Sequence, residues 1–235
     1  YMAQNSNYLT VLYAYYTTIT NNYASGDAGG VYLAGYRSWV EFYDAVLSNN
    51  EAGANGGVIT YSRGCTFNRV VFSSNKAAGG GGAIWCHTVP SFTNVVFYNN
   101  SATQGGAIWT YWQLNATNCT FINNTASSLG GAYYGSTSNT SSFNNTIFFG
   151  NKQGSSLSRT AAGADFYCTG GTATATVTNC FMQLASSSYT STTKNQISAS
   201  ASIFNTYPEF SDTTNLVGTD NAWMTYDDGL RLGTG

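Results

Sequence analysis

The sequence predicts an all-β protein, a parallel β-helix of about six to seven coils in which each repeat forms one coil. Three observations support this fold class: a recurring Gly-Gly-Ala/Val start, an apolar anchor with an Asn three residues after it, and a nearly constant anchor spacing. The anchors are 28, 25, 25, 24 and 27 residues apart, a period typical of a solenoid. The anchors are Ile19, Leu47, Phe72, Phe97, Phe121 and Phe148, and the starts lie at Gly29, Gly56, Gly81, Gly105 and Gly130.

Short apolar runs lie between the Gly, Asn and Ser residues of each repeat. Ala107, Ile108 and Trp109 form one such run. Runs rich in β-branched and aromatic residues and bounded by turn formers indicate strands. A coil of about 25 residues with short strands suits a parallel β-helix, whereas the Leu pattern of leucine-rich repeats is missing.

The anchors and the Asn residues that follow them are expected to be architectural. Stacked at about 4.8 Å, the anchor rings would form a continuous interior file. Asn tolerates left-handed backbone, so each Asn is expected at a turn, and stacked Asn side chains can form an amide ladder. The paired glycines suit a tight corner. The predicted ladder residues are Phe72, Phe97, Phe121, Phe148, Asn50, Asn75, Asn100, Asn124 and Asn151.

A second column of side chains can be placed on either face of the coil. Its members are Leu33, Thr60, Trp85, Trp109, Tyr134 and Phe166. Alternation along a strand allows either a second interior file or an exposed aromatic stripe. If the stripe is exposed, Trp85, Trp109, Tyr111 and Trp112 are candidates for stacking against a glycan.

The repeats divide the chain into a β-helix over residues 1–206 and a C-terminal capping segment over residues 207–235. Residues 1–28 contain a partial first coil without a Gly-Gly start, and regular coils cover about residues 19–161. A stretched last coil with a Ser/Thr-rich loop at 186–193 is expected over 162–206. Solenoids need terminal caps because an open coil presents unpaired backbone.

The composition argues against several partners. Charged residues make up 8% of the chain, against about 25% in ordinary soluble domains. Eight basic residues and a net charge of -2 provide no electrostatic footprint for nucleic acid or anionic membranes. No apolar run approaches the roughly 18 residues that span a bilayer, so direct membrane insertion is not expected. Because the chain opens at Tyr1, we expect a processed or excised piece of a secreted protein.

The paired motif resembles the repeat of the chlamydial polymorphic outer membrane proteins and of many bacterial surface β-helix proteins. Gly-Gly-Ala-Ile is complete at Gly81 and Gly105, and Phe-x-x-Asn is complete at Phe72, Phe97, Phe121 and Phe148. The resemblance covers about residues 19–151. It implies a right-handed parallel β-helix at the cell surface, in adhesin or passenger regions. The segment from Tyr207 to Leu232 resembles the closing segment of secreted β-helix proteins.

Five cysteines leave at least one thiol without an intramolecular disulfide partner. Cys119 lies two residues before Phe121 and is expected to be a buried thiol that packs as a small hydrophobe. Cys168 and Cys180 flank a turn-like Thr-Gly-Gly and could close a hairpin disulfide. Counted from the first Gly of each repeat, no cysteine lies directly above another, which argues against a disulfide ladder.

No catalytic cluster is evident, although polysaccharide lyases and hydrolases use the same type of coil. Their chemistry needs clustered carboxylates, whereas Asp27, Glu41, Asp44, Glu51 and Asp165 occupy different coil positions. Adjacent residues of a strand point apart, so the neighbouring Cys86 and His87 are not expected to act as a dyad. We therefore expect neither an enzyme nor a cofactor.

The sequence allows calcium binding and glycosylation at the surface, and each has an ordinary alternative explanation. Asp220, Asp227 and Asp228 could bind calcium, but Asp-Asp-Gly and Thr-Asp-Asn are also ordinary turn sequences. Asn-x-Ser/Thr triplets could carry sugar, or could arise by chance in so Asn-rich a chain. The triplets begin at Asn99, Asn115, Asn118, Asn123, Asn139 and Asn144.

The sequence thus indicates a non-enzymatic extracellular structural protein. It could form an adhesin, a stalk or the subunit of a surface filament, because an uncapped first coil could receive the C-terminal end of another copy. Self-association or a cell-surface or glycan partner is expected. The alternative is a β-helix that binds or cleaves glycans.

Overall fold

The computed structural model describes residues 2–3, 10–34, 38–60, 64–136, 140–154, 163–169, 174–183 and 196–204. These residues form three parallel β-sheets of seven, thirteen and six strands, and the chain visits the sheets in that order once per coil. The fold class is therefore the all-β parallel β-helix that the repeats predict. The number of coils matches the expectation only roughly, and the expected cap at 207–235 lies outside the described residues.

The seven-stranded sheet contains the residues that follow each Gly-Gly start. Its strands are β1 (Met2–Ala3), β5 (Val31–Ala34), β8 (Ile59–Thr60), β11 (Ile84–Cys86), β14 (Ile108–Thr110), β18 (Tyr133–Gly135) and β22 (Phe166–Cys168).

The thirteen-stranded sheet contains the anchors. Its strands are β2 (Thr10–Tyr15), β3 (Thr18–Thr20), β6 (Ser38–Ser48), β9 (Gly64–Ser73), β12 (Ser91–Tyr98), β15 (Asn115–Thr117), β16 (Thr120–Ile122), β19 (Ser141–Asn144), β20 (Ile147–Phe149), β23 (Thr174–Thr178), β24 (Phe181–Met182), β25 (Gln196–Ser200) and β26 (Ile203–Phe204). Residues 174–183 and 196–204 supply two successive rungs of this sheet, since β25 pairs with β23 and β26 pairs with β24.

The strands of the six-stranded sheet are short, and each begins directly after the Asn that lies three residues beyond an anchor. Its strands are β4 (Tyr23–Ala24), β7 (Glu51–Ala52), β10 (Lys76–Ala77), β13 (Ser101–Gln104), β17 (Thr125–Leu129) and β21 (Lys152–Gln153). None of the described residues lies in a helix. Within them, accordingly, no helix is long and apolar enough to cross a membrane.

The coils pack on two interior files of phenylalanine. The anchor rings stack nearly parallel, with centroids 5.1 Å apart for Phe72 and Phe97 and 4.7 Å apart for Phe97 and Phe121. A second file, which includes Phe67 and Phe92, meets the first edge-on; Phe92 and Phe97 are 5.2 Å apart at 82°. Edge-on pairs suit the ring quadrupoles, and burial of these large apolar rings stabilises the core.

The amide ladder runs along the coil interior beside the anchor file. Asn50, Asn75, Asn100, Asn124 and Asn151 are fully buried. Each Oδ1 from Asn75 to Asn151 accepts the backbone N–H and the Nδ2 of the ladder Asn one coil earlier, at 3.0–3.1 Å. Each Nδ2 from Asn50 to Asn151 also donates to the carbonyl of an anchor residue. Burial of five amides is possible because their polar atoms are paired.

The left-handed residue at this turn is not the ladder Asn but the residue before it. Positive φ angles of 48–70° occur at three corners of the coil. The corner before the ladder has Asn21, Asn49, Ser74, Asn99, Asn123 and Gly150, and the corner before the seven-stranded sheet has Ala28, Gly56, Gly81, Gly105 and Gly130. The third, a bend within the thirteen-stranded sheet, has Tyr16, Asp44, Arg69, Asn94, Asn118, Asn145, Asn179 and Ala201. The ladder Asn residues lie at turns, as expected, but the left-handed backbone belongs to the residue before each of them.

Candidate functional site

An aromatic stack lies on the outer face of the seven-stranded sheet. It consists of Trp85, Trp109, Tyr134 and Tyr167, with centroids 5.0, 6.1 and 5.8 Å apart and interplanar angles of 18°, 11° and 16°. Parallel pairing brings these positions into register on successive coils.

At its two ends, the second column predicted from the sequence therefore contains different residues from the observed stack. Pairing aligns Tyr32 with Thr60 at one end and Tyr167 with Tyr134 at the other. Leu33 and Phe166 are instead fully buried. Leu33 and Phe166 are each one residue away from the position on the outer face, and a shift of one residue along a strand reverses the side-chain direction.

A second, shorter stack lies beside the first. The imidazole of His87 stacks on Tyr111 at 5.2 Å and 10°, and it also contacts Trp85 at 4.5 Å with tilted rings. Partial burial lowers the pKa of His87, because desolvation disfavours the imidazolium. Trp112 meets Tyr111 edge-on at 5.7 Å and 78°. Tyr111 and Trp112 are 42% and 46% exposed.

A groove of about 270 Å³ runs between the aromatic stack and the corner beside the six-stranded sheet. The residues that line it carry no formal charge: Asn55, Ala78, Gly79, Gly80, Trp85, Thr103, Gln104 and Trp109. Gly80 packs so closely that a Cβ there would lie 3.1 Å from both indole rings. The glycine therefore keeps the groove open beside the tryptophans.

The four predicted glycan contacts are close together but do not form one flat platform. Trp109 is stacked between Trp85 and Tyr134, so both faces of its indole are covered. Trp112 is perpendicular to its neighbour Tyr111. This surface can offer a ligand indole edges, the Trp112 ring and uncharged hydrogen-bonding groups, rather than a row of open ring faces.

Several carboxylates connect neighbouring coils. Asp44 accepts from Arg69 at 2.5 Å and Glu51 pairs with Lys76 at 2.9 Å, each across 25 residues of sequence. The Arg69 guanidinium lowers the pKa of Asp44 by hydrogen bonding to it.

The other carboxylates also have structural partners. Asp27 accepts the backbone N–H and Nδ2 of Asn55. Glu41 accepts from the Trp39 indole and the Tyr43 hydroxyl, both at 2.9 Å. The fully buried Asp165 accepts from Asn151 at the end of the amide ladder. The five acids singled out in the sequence thus hold coils, strands or the ladder in place.

Metal binding has no support in the part of the chain that the structure describes. There, no group of three or more His, Cys, Asp and Glu side chains could hold an ion. The calcium candidates Asp220, Asp227 and Asp228 lie outside the described residues, as does the loop at 186–193.

The Asn-x-Ser/Thr positions lie on different parts of the coil. Asn99, Asn115 and Asn118 are exposed, and Asn123 and Asn144 are half-buried. Asn99, Asn118 and Asn123 are also left-handed corner residues. Asn139 lies outside the described residues.

Three of the cysteines are isolated buried thiols. Cys119 occupies the column of Val70 and Val95, and burial raises its pKa to about 12. Cys168 and Cys180, for which the sequence allowed a disulfide, are buried free thiols in the structure. Cys168 ends a strand of the seven-stranded sheet, whereas Cys180 follows a strand of the thirteen-stranded sheet.

Two cysteine positions produce a contact that the sequence reasoning missed. The Sγ atoms of Cys65 and Cys86 are 3.9 Å apart. The two residues occupy different positions in their repeats, which argued against a vertical pairing. They meet instead across the corner between two sheets, a relationship that no spacing within the repeat indicates.

A buried hydroxyl chain was also missed. The Tyr133 hydroxyl lies 3.0 Å from Thr110 Oγ1 and 2.8 Å from Ser141 Oγ. Burial raises the pKa of Tyr133. The strand alternation that places Tyr133 inside could have suggested a polar partner, because a buried tyrosine hydroxyl usually has one.

Comparison with known protein families identifies the repeat. The family described as Chlamydia polymorphic membrane protein (Chlamydia_PMP) repeat matches residues 69–87, 94–111 and 118–132. Neither a search of curated proteins nor a search of solved structures returned a match. Each matched segment contains residues of the anchor strand or the Gly-Gly start, as the sequence resemblance predicted. Three segments of the chain are therefore similar to the chlamydial polymorphic membrane protein repeat, and they lie in consecutive coils of a parallel β-helix.

Proposed function

We propose that this chain is a non-enzymatic structural module at the cell surface, of the stalk or adhesin type, that associates with further copies end to end. The polymorphic membrane protein repeat supports a surface location. The interior supports a structural role, because its buried amides, hydroxyls and Asp165 bind other parts of the coil.

The observation that carries the proposal is the exposed tyrosine cluster on the first coil. Tyr13, Tyr15, Tyr16 and Tyr23 are 58%, 55%, 84% and 70% exposed. Tyr15 stacks on Tyr43 at 5.0 Å and 9°, and no other ring among the described residues stacks on it. Tyrosine supplies rigid contact area and is enriched at protein interfaces.

The backbone of the same coil is suited to receive another rung. Among the described strands, β2 and β3 pair only with β6, and β4 pairs only with β7. The core residues Leu12, Ala14 and Ile19 on this coil are only partly buried. A parallel coil added here would pair the strand edges that no described strand occupies and would cover these side chains. A contact between unlike ends can propagate into a filament.

The outer surface is compatible with attached sugar. Asn99, Asn115 and Asn118 begin Asn-x-Ser/Thr triplets and are exposed. Glycans at these positions would add hydration to a chain with only 8% charged residues.

End-to-end association is tested by measuring molar mass against concentration by light scattering, with electron microscopy of the most concentrated sample. The wild-type chain should gain mass with concentration and form linear assemblies. A Tyr15→Lys, Tyr23→Lys double variant should remain monomeric, since charge on a strand edge opposes pairing. Tyr111→Lys, on the outer face of a middle coil, should assemble as the wild type does. A wild-type chain that stays monomeric at all concentrations would exclude the proposal.

Glycan binding is the second candidate, and the uncharged groove beside Trp85 and Trp109 favours it. The groove fits a neutral polysaccharide better than a uronate, because none of the described lining residues is cationic. The wild-type chain would be retained on an array of neutral polysaccharides, and Trp109→Ala would lose that retention. Equal retention of both proteins would exclude the groove as the binding site.

A further inference from the structure

We infer that Cys65 and Cys86 form a disulfide that links consecutive coils when the protein is exposed to a small-molecule disulfide such as oxidised glutathione. The sulfur atoms are 3.9 Å apart, in contact but not bonded, whereas bonded sulfurs lie about 2 Å apart. Both residues are buried, at 1% and 0% exposure, and they end up together because the chain turns between two sheets.

The topology makes this pair a link between coils. Cys65 lies in β9, and Cys86 lies in β11 of the next coil, which leads into β12 beside β9. A bond between them would close a loop across 21 residues and join the seven-stranded sheet to the thirteen-stranded sheet. It would therefore restrict the unfolded chain as well as fasten one coil to the next.

The surroundings identify Cys86 as the thiol that reacts first. Its Sγ accepts a hydrogen bond from the backbone N–H of Thr88 at 3.4 Å and lies 3.3 Å from the Thr88 hydroxyl. The Sγ also lies 3.8 Å from the Thr88 carbonyl oxygen, to which the thiol can donate. The thiolate is the reacting form, and the Thr88 N–H is placed to donate to it once the proton has left. Val89, the residue after Thr88, is 39% exposed, so opening of this turn would admit a small-molecule disulfide to the buried pair.

The reaction balances as two thiol–disulfide exchanges. The Cys86 thiolate attacks one sulfur of oxidised glutathione, which forms a mixed disulfide and releases one glutathione thiolate. The Cys65 sulfur then attacks Cys86 Sγ, which forms the protein disulfide and releases the second glutathione. The two protons of the cysteine thiols end on the two glutathione molecules, and the oxidised glutathione takes up the two electrons.

The other cysteines lack this geometry. Cys119 and Cys180 each donate to the carbonyl two residues earlier, and Thr146 on the intervening rung does the same. A full coil therefore separates these two thiols. Cys168 pairs in register with Gly135, so its neighbouring strand offers no thiol at that position.

The experiment treats the folded protein with oxidised glutathione and maps thiols by alkylation and mass spectrometry. Alkylatable thiols should fall from five to three, and the tryptic peptide 64–69 should become linked to 77–152 through Cys86. Cys65→Ser should instead retain a glutathione adduct on Cys86. Cys119→Ser should still form the cross-link. The oxidised wild type should melt roughly 6–12 °C above the reduced form.

Three results would overturn the inference. The first is five alkylatable thiols after oxidation, with the protein folded by circular dichroism. The second is a cross-link through Cys119, Cys168 or Cys180. The third is a glutathione adduct on Cys86 that persists in the wild type as it does in Cys65→Ser. The mapping uses monomeric protein, so its outcome does not depend on end-to-end association.

Discussion

Oδ1 of Asn100 accepts two hydrogen bonds from Asn75, one from the backbone N–H and one from Nδ2, both at 3.0 Å. The Nδ2 of Asn100 in turn donates to Asn124 Oδ1 at 3.0 Å and to the carbonyl of Phe72 at 2.9 Å. One buried side chain therefore joins three successive coils. The same four contacts recur at Asn75 and Asn124. The ladder therefore fixes the register of each of these coils against the next.

Replacement of Asn100 by leucine should destabilise the protein by roughly 3–5 kcal/mol. Leucine has a similar volume but leaves the two donors of Asn75 without their acceptor, and each buried unpaired group costs about 1–3 kcal/mol. Urea unfolding followed by circular dichroism measures the change. Asn115→Leu is the matched control on an exposed strand position and should change stability by about 0.5 kcal/mol or less. Equal losses in the two variants would show that the ladder contributes nothing specific.

Gly106 is a site of close approach between coils, and Gly106→Ala should cost about 3 kcal/mol. A Cβ there would fall on the carbonyl oxygen of Gly131 and close to that of Thr125, and neither backbone can move away without breaking the coil. At Gly26 no atom lies within 4 Å of a Cβ. Gly26→Ala should therefore stabilise by about 0.4–1 kcal/mol through the unfolded state. The two substitutions should shift the urea midpoint in opposite directions, and a shared direction would contradict this account.

Phe97→Ala should lower stability by roughly 3–5 kcal/mol, the range for removal of a buried ring. Phe97 is fully buried between Phe72 and Phe121, so the resulting cavity would interrupt the anchor file in its middle. Thermal unfolding monitored by tryptophan fluorescence reports the loss. Tyr111→Ala removes an aromatic ring that is 42% exposed and should cost less than about 1 kcal/mol. A loss at Tyr111 as large as that at Phe97 would contradict the interior placement of the file.

His87 should make stability depend on pH below neutrality. Its pKa is lowered in the folded state because burial disfavours the imidazolium. Below the unfolded pKa of about 6.5 the unfolded chain binds the proton more readily, so folding stability is present above that pH and falls as pH decreases. His87→Gln should flatten the dependence of melting temperature on pH between about 7.5 and 5.5. Parallel curves for the two proteins would rule out His87 as the cause.

Much of the architecture could be predicted from residue spacing. The 24- to 28-residue intervals of the anchors and the Gly-Gly starts place the strands, because a repeat that cannot bury its own apolar face must stack on its neighbours. The amide ladder follows from the same spacing, since identical positions on successive coils come into register. The candidate surface was less predictable. Trp85 and Trp109 were identified, but the stacking of their ring faces on each other depends on side-chain rotamers that spacing does not specify.

The sequence by itself determined the repeat, the parallel β-helix and the membership of the anchor file. Those features depend on a local pattern that recurs on every coil. Only the tertiary structure decided which residue at each corner is left-handed, that the tryptophan column faces outward, and that Cys65 meets Cys86. These relationships depend on the direction in which the chain turns between sheets, and a turn brings together positions that no periodic spacing within the repeat connects.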